Sequence, residues 1–318
     1  MKIAIQTLRL TNNYGGILQA FALQYYLEMQ GHEVVHLNRQ PKIKDLISRL
    51  KIFIYRFINA KEIKISKQAD EKYRSFIQKY IHLSKSLSSK KEWDDYIFEN
   101  KFDALIAGSD QIWRLEYNIG YTEECFLKYD KSILRKVAYA ASFGVSNEIK
   151  YSEIRLKELL SEFDGISVRE KDAVSIVRKH YNGEVLQLID PTLLLTAEDY
   201  IRIFKLKNDI KPNTIFAYIL DKNDVKNKII NSIKEILSFE LDYVYGSIVL
   251  KSNYKDPDIL QKPTIQQWLQ KFLSSDFVIT DSFHGMVFSL IFNKEFIIIG
   301  NEKRGVSRFK SLLEIFNL

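Results

Sequence analysis

Residues 276–292 read DFVITDSFHGMVFSLIF, and this stretch decides how the second half of the chain folds. Its first part, FVIT, is a short apolar run typical of a buried strand, and from residue 283 onward the apolar side chains recur at helical spacing. The two elements are joined by Asp281 and Ser282, residue types that favour the start of a helix. A buried strand that turns directly into a helix predicts an α/β protein, in which ligands bind beyond the carboxyl ends of the strands.

This junction places His284 and Gly285 in the first turn of the predicted helix. Backbone amides in a first turn lack intrahelical partners and carry the positive end of the helix dipole, so the position suits an anion. Gly285 would let a ligand approach the backbone, and a histidine can transfer a proton near neutral pH. Two interpretations stay open here: an anion site with a reactive histidine, or a capped helix whose histidine only packs.

The composition excludes several classes of protein. The 318 residues, 46% hydrophobic and 13% aromatic, suit two folded domains. A single cysteine, Cys125, provides no disulfide framework, and the five histidines lack zinc-site spacing, so we expect neither a metal nor a cofactor. Neither GxGxxG nor GxxxxGK[ST] occurs, which argues against a dinucleotide site and a P-loop NTPase. With no long apolar run and no signal peptide, we expect a cytoplasmic protein.

The positive charge of the chain is local. Residues 42–92 hold 14 Lys or Arg against 5 Asp or Glu, whereas the whole chain has a net charge of +7. Residues 43–58 interleave apolar and basic side chains as an amphipathic basic helix does, and such a helix can lie on an anionic membrane surface. A helix packed on the domain with solvated lysines is the alternative. No nucleic-acid reader motif accompanies the charge, so we expect no nucleic acid as a partner.

Apolar runs alternate with helical patterns along the whole chain, which predicts parallel sheets. Six strands are predicted before Pro191, where regular structure is disfavoured, and four after it. We therefore predict an N-terminal Rossmann-like domain over residues 1–189, with a basic helical insertion at 42–92. A C-terminal Rossmann-like domain over residues 190–318 would face it across a cleft.

Polar loops follow several predicted strands. In GSDQIW at 108–113, Asp110 and Gln111 could bind hydroxyls and Trp113 could face a sugar ring, although a capping aspartate with a packed tryptophan is the simpler local structure. Arg169 lies where a strand becomes a helix, and its planar fork suits a carboxylate or phosphate. An ion pair with Glu170 is equally open. Residues 303–308, KRGVSR, start another helix with three cations and a serine, or form a surface basic cluster.

Together these strings resemble the polysaccharide pyruvyl transferase family. The resemblance covers nearly the whole chain and is carried by NYGGILQ at 13–19, GSDQIW at 108–113, YAASFG at 139–144, SVRE at 167–170, DPT at 190–192, TDSFHG at 280–285 and SRF at 307–309. It implies a fold like that of GT-B glycosyltransferases, with no metal requirement. It also implies transfer of a pyruvyl group from phosphoenolpyruvate to sugar hydroxyls as a cyclic ketal.

The chain departs from this family at two places. Ser282 stands where some characterised members look like they carry an arginine. The chain also ends at Leu318, inside a predicted helix, where members of the family usually continue. The second departure predicts that the C-terminal domain is incomplete here.

The resemblance also suggests roles for individual residues. His284 is the predicted catalytic acid or base. The predicted donor-binding residues are Arg169 from the first domain and Asp281, Ser282, Gly285, Arg304, Ser307 and Arg308 from the second. The predicted acceptor-binding residues are Asn13, Tyr14, Gly15, Gln19, Ser109, Asp110, Gln111 and Trp113.

The expected partners are phosphoenolpyruvate and a glycan or lipid-linked sugar, as in exopolysaccharide biosynthesis. Peripheral contact with the inner face of the membrane through residues 42–92 is a further hypothesis. Two alternatives to pyruvyl transfer remain open. One is a GT-B glycosyltransferase that uses a nucleotide sugar, and the other is a catalytically degenerate glycan-binding protein.

Overall fold

The computed structural model describes residues 1–40, 71–129, 134–144, 149–246, 262–300 and 305–318. These residues form two parallel β-sheets that are flanked by helices, one of six strands and one of four. The two Rossmann-like domains face each other across a cleft, so the predicted GT-B-like fold class is confirmed. The predicted amphipathic helix at 43–58 and Arg304 lie outside the described residues.

The first sheet has the order β2-β1-β3-β4-β5-β6, with every neighbouring pair parallel. Its strands are β1 (Lys2–Gln6), β2 (Glu33–His36), β3 (Ala104–Ala107), β4 (Arg135–Ala141), β5 (Gly165–Val168) and β6 (Val185–Gln187). The central strand β3 is buried along its whole length, as expected for a parallel sheet covered on both faces. The chain order reverses between β1 and β3, so the loops after these two strands border the crevice where ligands bind in such sheets.

The strands of a parallel sheet need long crossover connections, and helices form most of these connections here. They are α1 (Tyr14–Met29), α2 (residues 71–80), α3 (Lys90–Asn100), α4 (Thr122–Cys125), α5 (Glu153–Leu160) and α6 (Lys171–Arg178), with a short 3₁₀ turn at Leu115–Tyr117. Serine side chains cap α3 and α5, because Ser89 and Ser152 each accept a bond from the third residue of the helix that follows.

The second sheet has the order β10-β9-β7-β8 and is also parallel throughout. Its strands are β7 (Thr214–Ile219), β8 (Glu240–Tyr245), β9 (Phe277–Thr280) and β10 (Glu295–Ile298). Its helices are a 3₁₀ turn (Pro191–Leu194), α7 (Ala197–Phe204), α8 (Asp224–Leu237), α9 (Ile265–Ser274), α10 (Phe283–Ile291) and α11 (Ser307–Phe316). All ten strands predicted from the sequence are present. Strand β8 starts three residues earlier than predicted because this edge strand is only partly buried and its apolar pattern is weak.

Helix α1 packs on both domains. It connects β1 to β2, yet Ile17, Leu18 and Phe21 belong to one apolar cluster with residues of the second domain such as Phe216 and Phe288. The helix is buried on nearly every side, which explains why its sequence shows no polar face. The position of α1 therefore fixes how the two domains meet.

Tyr14 illustrates this packing and corrects a prediction. Its ring stacks on Trp268 at a centroid distance of 4.9 Å, and its hydroxyl donates to the carbonyl of Pro263 at 2.6 Å. Both partners belong to the second domain. Because its side chain is fully used in this interface, Tyr14 is not placed to contact an acceptor as predicted.

The predicted peripheral contact with a membrane stays a prediction. Helix α2 of the insertion packs Tyr73, Phe76 and Ile77 into the same cluster as α1. Within the described ranges, no helix has the length and apolar character needed to cross a bilayer.

The domain boundary at residue 189 likewise stays a prediction.

Candidate active site

A cavity of about 400 Å³ lies between the two domains. It is bordered by the loops after β1 and β3 in the first sheet and by the loops after β7 and β9 in the second, which are the two places where the strand order reverses. Nine of the predicted site residues line this cavity, namely Asn13, Gly15, Gln19, Asp110, Gln111, Asp281, Ser282, His284 and Arg308. Residues from both halves of the chain therefore share one space.

Two helix N-termini meet at this cavity, one from each domain. Helix α1 is capped by Asn13, whose Oδ1 accepts from the amide of Gly16 at 3.2 Å. Helix α10 is capped by Ser282, whose Oγ accepts from the amide of Gly285 at 3.3 Å. The other first-turn amides have no partner inside their helices, and both helix dipoles present their positive ends. The cavity therefore offers backbone donors on two walls.

The two helix starts touch through Gly15 and His284. A Cβ added at Gly15 would lie 2.0 Å from Nδ1 of His284, so only glycine leaves room for the imidazole. This close approach explains the glycine at position 15 better than conformational freedom does, because Gly15 is an ordinary helical residue. The contact also places Nδ1 at the boundary between the domains.

The other ring nitrogen of His284 faces a buried carboxylate. Its Nε2 lies 3.5 Å from Oδ2 of Asp190, and the same oxygen accepts from Nη1 of Arg169 at 2.7 Å. Oδ1 of Asp190 accepts from the amide and the hydroxyl of Thr192 at 3.1 and 2.7 Å. These bonds fix the carboxylate, which in turn orients the imidazole and favours a proton on Nε2.

Electrostatics keep this carboxylate ionised. Burial alone would raise the pKa of Asp190, but the charges of His284 and Arg169 and the bonds from Thr192 lower it well below its usual range. Arg169 behaves in the complementary way. Burial would lower its pKa, but the carboxylates of Glu170, Asp190 and Asp110 raise it, so the guanidinium stays charged.

Arg169 corrects the prediction that it binds the donor directly. It is 4% exposed and does not line the cavity. Its guanidinium is surrounded by Asp190 at 2.7 Å, Glu170 at 3.3 Å and Asp110 at 3.5 Å. Three carboxylates neutralise the cation, so the ion pair that the sequence left as an alternative is the observed state. Its contact with Asp190 makes it a positioning residue for His284.

Arg308 is the predicted donor-binding arginine that lines the cavity. Its guanidinium lies over the ring of Phe283 at 5.5 Å, and Arg169 lies over the same ring at 4.4 Å. Burial and the nearby charge of Arg169 lower the pKa of Arg308 to about 10, so the side chain remains a cation at neutral pH. Phe283 thus holds a charged side chain in a buried position by a cation–π contact.

Four further predictions are corrected because these residues do not line the cavity. Trp113 is fully buried and stacks on Phe126 at 5.0 Å. Ser109 donates to the carbonyl of Ala140 at 2.8 Å inside the sheet. Gly285 packs against β9, since a Cβ there would lie 2.2 Å from Oγ1 of Thr280. Ser307 begins α11 and does not line the cavity, although its neighbour Arg308 does.

Asp281 lines the cavity, but its carboxylate is structural. Oδ1 accepts from the amide of Leu220 at 2.6 Å, and Oδ2 accepts from the amide of Asp221 at 3.1 Å and from Nζ of Lys226 at 2.6 Å. These bonds join the end of β9 to the loop after β7. A fully bonded carboxylate cannot bind an anion, so the predicted donor contact of this side chain is corrected.

The polar side chains on the first-domain wall retain hydrogen-bonding capacity. Gln19 donates from Nε2 to Thr7 and to the carbonyl of Gly16, while its Oε1 has no partner among the described residues. Gln111 accepts from Arg114 at 2.7 Å through Oε1. Asp110 has a left-handed backbone with φ of 62°, a conformation that aspartate tolerates better than most residues. These amide and carboxylate groups suit sugar hydroxyls.

Sequence reasoning missed Asp190 as a site residue. It appeared only as part of the DPT string at the domain junction, yet its carboxylate contacts both Arg169 and His284. The available signal was its place shortly after strand β6, because the other site residues also follow strands. Among the residues described, no group of three or more His, Cys, Asp or Glu side chains could hold a metal ion.

The family model for polysaccharide pyruvyl transferase matches residues 13–303. The chain belongs to the polysaccharide pyruvyl transferase family. It is therefore a transferase, and the matched range contains all the cavity-lining residues predicted from the sequence except Arg308. A search of curated proteins gives no match.

The solved structures to which this chain is similar share little of its sequence. A glycosyltransferase from Rickettsia africae has a TM-score of 0.49 and 11% identity, covering 99% of this chain and 87% of its own. A protein from Klebsiella pneumoniae has a TM-score of 0.41 and 11% identity, with 99% and 88% covered. The wall teichoic acid polymerase TagF has a TM-score of 0.47 and 11% identity, with 94% and 69% covered.

We predict that Asp190→Asn destabilises the protein in a pH-dependent way. At neutral pH the variant should lose about 3–5 kcal/mol of unfolding free energy, the cost of breaking a buried ion pair. The folded-state pKa of Asp190 is depressed, so its contribution is complete above the ordinary value of 3.8 and is lost as the pH falls below it. The difference between wild type and variant should therefore shrink on acidification. Urea titrations at pH 7 and pH 3 measure it.

Asp172→Asn is the matched control for this experiment. Asp172 is an exposed aspartate on α6, so its substitution should change stability by no more than about 0.5 kcal/mol. An Asp190→Asn deficit of the same size at pH 7 and pH 3 would contradict the assigned ion pair.

Proposed function

We propose that this family member transfers a pyruvyl group from phosphoenolpyruvate to two hydroxyls of a glycan or lipid-linked sugar, forming a cyclic ketal. The observation that carries the proposal is the meeting of Gly15, His284 and Arg308 at one interdomain cavity. Phosphoenolpyruvate has a phosphate and a carboxylate on a small carbon frame. A cavity with two helix starts and one buried guanidinium supplies donors for both groups.

The anionic groups are assigned to the two walls. The start of α10 and Arg308 would bind one group, and the start of α1 would bind the other. This arrangement replaces the direct contact with Arg169, whose charge is already neutralised by three carboxylates. Binding to both domains at once would hold the reactive carbon next to the imidazole of His284.

His284 would serve as the proton donor and acceptor. Because Asp190 lies next to Nε2, the proton that is exchanged with substrate is carried by Nδ1, at the contact with Gly15. Nδ1 protonates the methylene carbon, which becomes the methyl group, while a sugar hydroxyl forms a C–O bond to the central carbon and returns its proton to the histidine. The bond from that carbon to the phosphate oxygen then breaks. A second sugar hydroxyl closes the ketal, and its proton leaves with the phosphate.

The acceptor would bind on the first-domain wall. Asn13, Gln19, Asp110 and Gln111 line this side and provide hydrogen-bonding groups within the same cavity. Asp110 would be held in position by Arg169, at 3.5 Å, while its second oxygen remains for a hydroxyl. The donor and the acceptor would thus approach His284 from opposite domains.

A thermal-stability panel tests the choice of donor. Ligand that binds the folded state at one hundred times its Kd stabilises by about 2.7 kcal/mol, so phosphoenolpyruvate should raise the melting temperature measurably. Stabilisation by uridine or guanosine diphosphate sugars instead would favour a nucleotide-sugar glycosyltransferase. A response to neither donor would favour a glycan-binding protein without turnover.

We expect His284→Ala to keep the fold and to lower phosphate release from phosphoenolpyruvate by about 10²-fold or more, the contribution of a positioned acid or base. Circular dichroism and a coupled phosphate assay measure the two properties. His82→Ala is the control, because His82 is exposed, pairs with Glu28 and does not line the cavity. Near-normal turnover of His284→Ala would remove the imidazole from the mechanism.

Gly15→Ala should impair turnover as severely as His284→Ala, because the added Cβ would displace the imidazole. The two substitutions should not be additive. In the His284→Ala background the new methyl group no longer meets a ring, so Gly15→Ala should cost less unfolding free energy there than in the wild type. Gly300→Ala is the control, since a Cβ at that position meets nothing within 4 Å. Equal costs in both backgrounds would show that the contact is not the reason for glycine.

A further inference from the structure

A second cavity of about 390 Å³ lies next to the cleft on the side of the first domain. It is bordered by the ends of β1 and β2 and by helix α2. The two cavities have Leu8, Arg9, Thr11 and Asn12 in common. We name this second space the β1–β2 cavity, and the shared wall means that one extended molecule could occupy both.

The charged residues among the described lining of the β1–β2 cavity are all cations. Its described lining includes Arg9, Arg39 and Arg74 and no Asp or Glu. Arg39 is buried and neutralised by Glu124, since its Nε donates to that carboxylate at 2.7 Å. Arg9 and Arg74 are exposed, and their charges remain at the rim. A concave surface with cations and no lining carboxylate attracts an anionic ligand.

The rest of the lining favours hydroxyl groups. Asn38, Gln40 and Gln78 provide amides, which both donate and accept hydrogen bonds. His36 adds no charge, because burial lowers its pKa to about 4 and leaves the imidazole neutral at physiological pH. Apolar side chains complete the lining, as is usual for ligand pockets, and they include Leu8, Leu10, Leu37, Ile77 and Leu83.

We infer that the β1–β2 cavity binds a second unit of the acceptor, one that combines hydroxyls with a negative charge. This inference rests on the proposed function, in which the cleft holds the sugar that reacts. The charged unit is either a sugar that bears a phosphate, as at the end of a lipid-linked or nucleotide-linked glycan, or an acidic sugar with a carboxylate. The enzyme would then select acceptors of at least two units, and Arg9 and Arg74 would set that preference.

Direct binding measurements test the subsite without requiring turnover. The probes are methyl glucoside, glucose 1-phosphate and methyl glucuronide, titrated by nuclear magnetic resonance at low salt. We expect wild type to bind at least one charged probe more tightly than the neutral one. Arg74→Glu should weaken that binding about fivefold or more, the effect of losing one favourable charge and adding a repulsive one. Tighter binding of the phosphate or of the glucuronide identifies the source of the charge.

Lys79→Glu is the matched control. Lys79 is an exposed cation on the same helix α2 and does not line the cavity, so its reversal changes the net charge equally. It should weaken binding less than twofold. An effect as large as that of Arg74→Glu would show that the binding depends only on the overall charge of the protein. It would overturn the inference. Equal affinity for neutral and charged probes would also overturn it.

Two measurements separate this subsite from the donor site. Arg308→Gln should leave the binding of the charged sugar unchanged, because Arg308 lines only the cleft cavity. Arg74→Glu should leave the thermal shift by phosphoenolpyruvate unchanged. If phosphoenolpyruvate gives no shift while Arg74→Glu still weakens the binding of the charged sugar, the proposed donor is wrong and the subsite stands. Loss of charged-sugar binding in Arg308→Gln would place the probe in the cleft and refute the subsite.

Discussion

The buried carboxylate of Asp190 is the group on which the arrangement of the site depends. It follows β6, caps the 3₁₀ turn at Pro191–Leu194, accepts from Arg169 and faces His284. Removing an ion from water is expensive unless its partners are close and its lone pairs are used, and here both oxygens accept hydrogen bonds. One buried charge therefore determines the position of a first-domain arginine and of a second-domain histidine.

Helix α1 provides the second constraint, and it acts through packing. Its apolar side chains fill the space between the sheets, and Gly15 at its start touches the imidazole of His284. The distance between the starts of α1 and α10 is consequently determined by apolar packing between the domains, and not by polar contacts across a solvent-filled cleft. A cavity built this way is preorganised, because its polar groups are held in place before any ligand arrives.

The sequence predicted the strands and their polar ends well, because parallel buried strands have a strong apolar signal and ligands gather at their carboxyl ends. It predicted individual side chains less well. Trp113 and Tyr14 follow the same motifs as true cavity residues, yet their rings fill the core and the domain interface. Local sequence cannot distinguish an aromatic side chain that faces a sugar from one that faces another aromatic.

Arg169 shows the same limit for charge. Glu170 is its neighbour in sequence, but Asp110 and Asp190 reach it from other strand ends, and only the fold brings three carboxylates around one guanidinium. Asp190 was missed for a related reason, since its role is visible only once His284 and Arg169 are adjacent. Ion pairs between distant residues are a property of the topology and not of the motif.

The neutralised state of Arg169 changes how an anion would be held. Within the described residues, the cavity wall keeps Arg308 as its buried guanidinium, and Arg9 is exposed at the opposite side. One buried cation cannot by itself compensate the phosphate and the carboxylate of phosphoenolpyruvate. In the proposed function, the first-turn amides of α1 and α10 would therefore supply much of the compensation, and Ser282 would contribute as the cap of α10. Backbone donors act only over a short distance, so this dependence would tie donor binding to the close contact between Gly15 and His284.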